Sequence, residues 1–438
     1  MTSFTAMPKY EAYKDSGVEW LGDIPSHWNC LSNKNIFKIR KSLVGKHSSE
    51  YELLSLTLRG IIKRDMDNPE GKFPAEFNTY QEVRVGDFVF CLFDVEETPR
   101  TVGLSDFNGM ITGAYTVFEV NNNFDKKFLY YFYLNLDQNK RLKPLYRGLR
   151  NTIPKDSFMA FKSFVPSKIE QTAIANFLDE KTVKIDEAIA IKEKQIELLK
   201  ERKQIIIQQA VTQGLDPTVP MKDSGVEWIG KIPAHWEVIR LKDICKAYGR
   251  IGFRGYTASD LVNAHEGAIT LSPSNIIDSE MNYEKCSYLS WEKYFESPEI
   301  MIKNTDIILV KTGSSYGKSA IVKSLSHEAT INPQLLVIKD ILISAFYLHY
   351  LMTSVGFLSV IDSEVIGSTI PTISENKIMN IKIAVPGNDE QLKIVEYLDL
   401  TLNEVTKGIE NIDSQVEKLK EYKTTLINSA VTGKIKVV

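Results

Sequence analysis

The sequence predicts an α/β (α+β) protein: two similar globular domains joined by two long antiparallel helices that form a coiled coil, with an internal pseudo-twofold repeat. Three observations carry this. KDSGVEWLGDIPSHW at 14–28 returns as KDSGVEWIGKIPAHW at 222–236, identical at twelve of fifteen positions. A second match, at an offset of 220, pairs Val165, Pro166, Glu170, Gln171, Ile174, Leu178 and Asp179 with Val385, Pro386, Glu390, Gln391, Ile394, Leu398 and Asp399. Each copy of that match runs into a segment with heptad spacing. Self-similarity at fixed offsets marks a repeated architecture.

In chain order, the first motif (1–28) leads into a variable region, 29–166. Its apolar runs, such as YELLSLTL (51–58), FVFCLF after Asp87 and FLYYFYLNL (128–136), are punctuated by Gly, Pro and Asn. That pattern predicts strands and short helices in one globule. A helical spacer and linker follow at 167–218. In it Ile185, Ile189, Lys192, Ile196, Leu199, Lys203, Ile206 and Ala210 alternate steps of four and three residues, a coiled-coil seam. Gly214 and Pro217 in the linker GLDPTVP stop this helix before the second motif, 219–236.

The second variable region, 237–384, carries IILV after Asp306 and QLLVIKD at 334–340. It is unlike the first apart from short echoes. The runs after Asp87 and Asp306 correspond, and Thr152-Ile153-Pro154 echoes Thr369-Ile370-Pro371. The segment 385–438 repeats the seam with Val405, Ile409, Ile412, Val416, Leu419, Lys423, Leu426 and Ala430. Neither seam has another copy in its own half, so each is the other's natural partner. Lys203 and Lys423 hold equivalent seam positions, where a polar residue fixes register or passes its stem to water. Gly408, inside the second seam, costs roughly 1 kcal/mol relative to Ala.

Composition narrows the function. With 53 Lys and Arg against 56 Asp and Glu, the net charge of -3 excludes a uniformly basic nucleic-acid coat. A 43% hydrophobic content excludes disorder. No run approaches the roughly 18 apolar residues of a membrane span, and the first residues show no secretory signal, so a cytoplasmic protein without membrane attachment is expected. Cys30, Cys91, Cys245 and Cys286 form no CxxC pair, so neither disulfide nor metal site is expected. GSSYGKS at 313–319 has three residues between its glycines where a phosphate loop needs four. No hydrolase or base-flipping motif is present, and the scattered histidines, including His27 and His235 beside Trp28 and Trp236, read as packing or turn-bonding groups. No catalytic residue is expected.

Positive charge is local. QNKRLKPLYRGLRNTIPK (138–155) holds six Lys and Arg and no acid. Its Lys140, Arg141, Arg147, Arg150 and Asn151 are candidate DNA contacts, joined by Arg100 in FDVEETPRT and by Arg59 and Arg64. In the second region KAYGRIGFRGY (246–256) supplies Lys246, Arg250, Arg254 and Tyr256, and KTGSSYGKS supplies Lys311, Ser314, Ser315, Tyr316 and Lys318. Such residues on glycine-rich loops hold phosphates or read base edges.

YKDSGVEWLGDIPSHW, its repeat, EQTAIANFLDEKTVKID and IELLKERKQIIIQQAVTQGL together resemble the specificity subunits of type I restriction-modification systems, along the whole chain. The second helix copy, EQLKIVEYLDLTLNEVTKGIE, is less like the family pattern. The resemblance implies a non-catalytic subunit whose two target-recognition domains each read half of a bipartite DNA site. It implies double-stranded DNA, two methyltransferase subunits and restriction or translocase subunits as partners. S-adenosylmethionine, ATP and Mg belong to those partners, and no cofactor to this chain. From 185 to 213 the helix is about 43 Å long, comparable with the roughly 34–36 Å between half-sites one DNA turn apart, which suggests a ruler. With 20 Lys and Arg against 16 acids in 29–164, and 14 against 16 in 237–384, neither domain is basic enough to hold DNA firmly alone. The competing reading is a duplicated protein-binding scaffold assembled through the coiled coil.

Overall fold

The computed structural model describes residues 7–65, 77–365 and 370–437. They form two compact units, Met1–Lys192 with Ser414–Val438, and Glu193–Asp413.

In the first unit a four-stranded antiparallel sheet has the order Phe37–Ile39, Thr116–Val120, Phe88–Phe90, Val102–Leu104. The run FLYYFYLNL becomes the helix Lys126–Gln138, started by Asp125, whose side chain accepts from Phe128 N. It is apolar on nearly every side because it is buried on nearly every side. Phe37, Phe90, Phe118, Tyr133 and Phe158 stack edge-on or tilted behind the sheet, with centroids 4.8–6.2 Å apart. The Tyr133 hydroxyl, inside this cluster, donates to Asn33 Oδ1 at 2.6 Å, so its burial leaves no unmet donor.

The second unit repeats that sheet order with Lys246–Gly249, Leu335–Lys339, Ile307–Val310 and Ser319–Ile321. It adds another four-stranded sheet, Leu261–Val262, Ser287–Leu289, Ala268–Leu271 and Ala329–Ile331, with its own core. The frame is shared and the filling differs. The echo after Asp87 and Asp306 is real: Asp87 Oδ2 accepts from Arg84 N and Asp306 Oδ2 from Lys303 N, both at 2.8 Å, at the start of the central strand.

The other echo is corrected. Ile153 N donates to Leu92 O, and its counterpart is Ile373 N donating to Lys311 O. Ile153 and Ile373 are each 1% exposed, whereas Ile370 is 63% exposed. The true match is therefore Thr372-Ile373, at the same offset of 220 as the helices; Pro371 matches by chance, and Thr369 lies outside the described residues.

The repeated motifs fold as hairpins, Tyr13–Asp15 with Asp23–Pro25 and Met221–Asp223 with Lys231–Pro233. Each ends in a fully buried tryptophan. Trp28 Nε1 donates to Glu170 at 3.1 Å and Trp236 Nε1 to Glu390 at 2.9 Å. His27 and His235 meet the same carboxylates at 2.8 and 2.9 Å. The next residue completes the joint. Gln171 Nε2 donates to Pro166 O and its Oε1 accepts from Asp125 N; Gln391 does the same with Pro386 O and Ser344 N. The motif's His-Trp and the helix's Glu-Gln recur together because they are two halves of one joint.

The long helices are Lys168–Gln213 and Asn388–Val431. In the first unit Asp186 pairs with Lys423 (2.7 Å) and Lys192 with Gln415 (2.6 Å); in the second, Lys203 reaches Thr406 (3.4 Å). Partner numbers fall as helix numbers rise, so the pairing is antiparallel. Ile185, Ile189, Ile196, Val416 and Leu426 are buried, and Leu199, Ile206, Val405, Ile409, Ile412 and Leu419 half-buried. All three seam lysines, Lys192, Lys203 and Lys423, bond across to the opposite helix. The helix passes through Gly408 unbroken, and a side chain there would meet nothing within 4 Å.

Candidate nucleic-acid interface

In each unit two loops meet beside the central strand. In the first, residues 91–101 connect Phe88–Phe90 to Val102–Leu104, and the hairpin 147–152 lies against them. Arg147 and Thr152 exchange backbone hydrogen bonds at 2.8 and 3.0 Å, and Asp94 N donates to Arg150 O at 2.8 Å. Gly148 (φ 69°) and Asn151 (φ 44°) take left-handed backbone conformations that let the hairpin reverse tightly. In the second unit 311–318 is the equivalent connection, tied by Gly313 N to Pro371 O at 3.0 Å. GSSYGKS thus turns from one strand into another, with no helix N-terminus to face a phosphate.

The structure divides the predicted contacts. Lys140 is not free to meet DNA: its ammonium donates to Val95 O, Thr98 O and Asp137, stapling the 91–101 loop to the preceding helix. Arg141 lies 4.5 Å over the Trp20 ring and donates to Asn428, holding the motif to the second long helix. Arg250 is 5% exposed, donating to Ile331 O, Thr330 Oγ1 and Arg254 O against the Tyr256 ring. These three cations are internal fasteners. Arg254 and Lys246 are ion-paired with Glu299 and Asp340, both at 3.1 Å.

Outward-facing groups remain. Arg147 and Arg150 are exposed, although Arg147 also folds back onto Pro144 O and Tyr146 O. Arg100 is half-buried, 3.4 Å from the Tyr130 hydroxyl. Arg59 is exposed on the turn joining Leu54–Thr57 to Gly60–Lys63, and Arg64 is half-buried just past that hairpin. In the second unit Ser314 and Lys318 are exposed, and Lys311, Ser315 and Tyr316 half-buried. Asp362 accepts from the Tyr316 hydroxyl and raises its pKa.

Residues 233–418 match the model of the type I restriction modification DNA specificity domain. That match ties the second unit to DNA specificity domains. The chain is 27% identical over 294 residues to the MjaVIII specificity subunit of Methanocaldococcus jannaschii, covering 65% of this chain and 64% of that relative. The putative MjaX specificity subunit of the same organism is 22% identical, with 98% of both chains covered. In fold, the chain is similar to one from a study of assembly and conformational transition of the type I R-M system, with TM-score 0.70 and 13% identity over 93% of this chain and 98% of that one.

Two features of the chain escape the sequence reading. One is Leu149, an apolar residue at the tip of a basic hairpin; its only signal is its place between Gly148 and Arg150. The other is buried His349, in a cleft of about 690 Å³ lined by Lys203, Gln204, Lys323 and Asp399. Burial, aided by Lys323, pushes the His349 imidazole from 6.5 down to about 4, against the opposing pull of the Ser319 backbone. The unfolded chain therefore takes up a proton that the folded unit refuses. Stability falls as pH drops from 6.5 to about 4 and levels off below, by at most about 3 kcal/mol. Urea midpoints measured from pH 7 to 4.5 should fall more steeply for the native chain than for His349→Gln; parallel curves would show that His349 does not titrate this way.

Proposed function

We propose that the chain is the non-catalytic DNA sequence-recognition subunit of a type I restriction-modification complex. Each globular domain reads one half of a bipartite site in double-stranded DNA. The paired helices set the spacer and dock two methyltransferase subunits, with restriction or translocase subunits joining the assembly. S-adenosylmethionine, ATP and Mg are used by those partners, and the site of action is the cytoplasm. Among the described residues no single helix is long and apolar enough to cross a membrane. The observation that carries the reading is one repeated frame presenting two different loop sets at the same place: 91–101 with 147–152, and 311–318 with 370–373.

The charge left after internal pairing sets the expected strength. If Arg59, Arg100, Arg147, Arg150, Lys311 and Lys318 all reach phosphates, log affinity falls with log salt at a slope of about −5. Firm binding at physiological salt then needs the methyltransferase subunits to complete the clamp. Fluorescence anisotropy with duplex DNA should give weak binding by the chain alone and salt-sensitive binding by the assembled complex. Tight binding by the isolated chain would refute the clamp. A complex indifferent to DNA would refute recognition and favour the protein-binding scaffold.

The ruler has its own test. Adding one helical turn within 186–205 should lengthen the spacer of the methylated sequence and leave both half-sites unchanged. An unchanged spacer would exclude the helices as its determinant.

A further inference from the structure

Leu149 is the most exposed large apolar side chain among the described residues, at 104% of reference exposure. Single exposed leucines are common on protein surfaces, so its surroundings decide its meaning. Its hairpin is held by the Arg147–Thr152 exchange, by Asn151 N donating to Gly148 O, and by Asp94 N on the carbonyl of the adjacent Arg150. With Gly148 and Asn151 in left-handed conformations, the loop reverses tightly and carries Leu149 at its tip. The charge within its own run is of one sign, while the adjoining loop carries Asp94, Glu96 and Glu97. Of the six cations in the acid-free run 138–155, Lys140 and Arg141 are used internally and Lys143 is paired with Glu96. The two closest to Leu149 in sequence, Arg147 and Arg150, stay exposed, Arg147 with one guanidinium nitrogen on Pro144 O and Tyr146 O.

An exposed aliphatic tip with an exposed arginine two residues before it and one directly after it complements a surface that is apolar at one point and anionic around it. Duplex DNA offers that pattern in its major groove: the thymine 5-methyl group is the one apolar feature among the base edges, between two phosphate strands. Resting on the DNA-recognition reading above, we propose that Leu149 is the apolar base reader of the first unit, seated against a thymine methyl, with Arg147 and Arg150 on the flanking phosphates. A leucine cannot hydrogen-bond a base edge, so its contribution is selectivity for the methyl group.

The test uses the full chain in its native host, with Leu149→Asn and Leu149→Ala, read by single-molecule methylation sequencing. Both variants should keep the native unfolding midpoint, since the side chain packs against nothing. Expected is relaxation at one T·A position in one half-site, with methylation of the original sequence slowed roughly tenfold, and an unchanged second half-site. Replacing that thymine by uracil should slow methylation by the native complex to a similar degree and leave the Leu149→Ala complex unaffected. An unchanged motif and rate, a relaxed position lacking thymine, or equal loss at both half-sites would each overturn the assignment. A methylome that does not change when the whole chain is deleted would instead mean that the DNA-recognition reading itself had failed.

Discussion

Replacing residues 29–165 with the corresponding region of another specificity subunit changes one half of the methylated sequence and leaves the other half as it was. The expectation follows from where the cuts fall. Asn29–Ser32 pairs antiparallel with Lys162–Val165, and Asn29 lies opposite Val165. The two ends of the exchanged region are thus adjacent strands that move together, while Trp28, Glu170 and the helix pair stay behind. The second unit is built the same way, with Glu237 opposite Val385. The donor region must keep the contacts that reach outside it, above all Asp125 N to Gln171 and Arg141 to Trp20. Methylation sequencing of the chimera should show one new half-site; alteration of both would mean that the units do not read independently.

The second large effect is on stability. Trp236→Ala should cost about 3–5 kcal/mol, the usual range for deleting a fully buried large aromatic. The loss includes the hydrogen bond to Glu390 and the filling between the motif hairpin and the helix start. Trp236→Phe should lose less, because it keeps most of the volume. His235→Ala should lose under about 1 kcal/mol, since its side chain is 54% exposed and exposed ion pairs contribute little. Urea midpoints would order the three. If His235→Ala were as damaging as Trp236→Ala, the carboxylate contact and not the packing would hold the joint.

How much of this the sequence reveals depends on how local each cause is. The heptad seams are legible because the 4-3 spacing is itself the packing rule, and all eleven named seam hydrophobes are buried or half-buried. The repeated motif is visible, yet the reason for it is not, since Trp28 and Glu170 are 142 positions apart. The division into units is hidden for the same reason. The sequence repeats across a linear midpoint, whereas compactness divides each long helix, after Lys192 and after Asp413, because distant segments pack on both of its ends.

The loops are the least legible part. A run of cations says nothing about which are already in use. Lys140, Arg141 and Arg250 look from sequence like Arg147 and Arg150; only their distant carbonyl, amide and aromatic partners separate them. Leu149 shows the reverse case. An apolar residue reads from sequence as core, and its full exposure is set by the hairpin around it. Thr369-Ile370-Pro371 shares three letters with Thr152-Ile153-Pro154 at an offset of 217, whereas the backbone hydrogen bonds of Ile153 and Ile373 correspond at 220.

We propose that this chain selects the DNA sequence its complex acts on. Single-molecule methylation sequencing of the host, with the chain present and with it deleted, tests that most directly. A gapped, two-part methylated sequence should disappear when the chain is removed and return when it is restored. An identical methylome in both strains, from a host whose methyltransferase subunits are expressed and intact, would contradict the proposal.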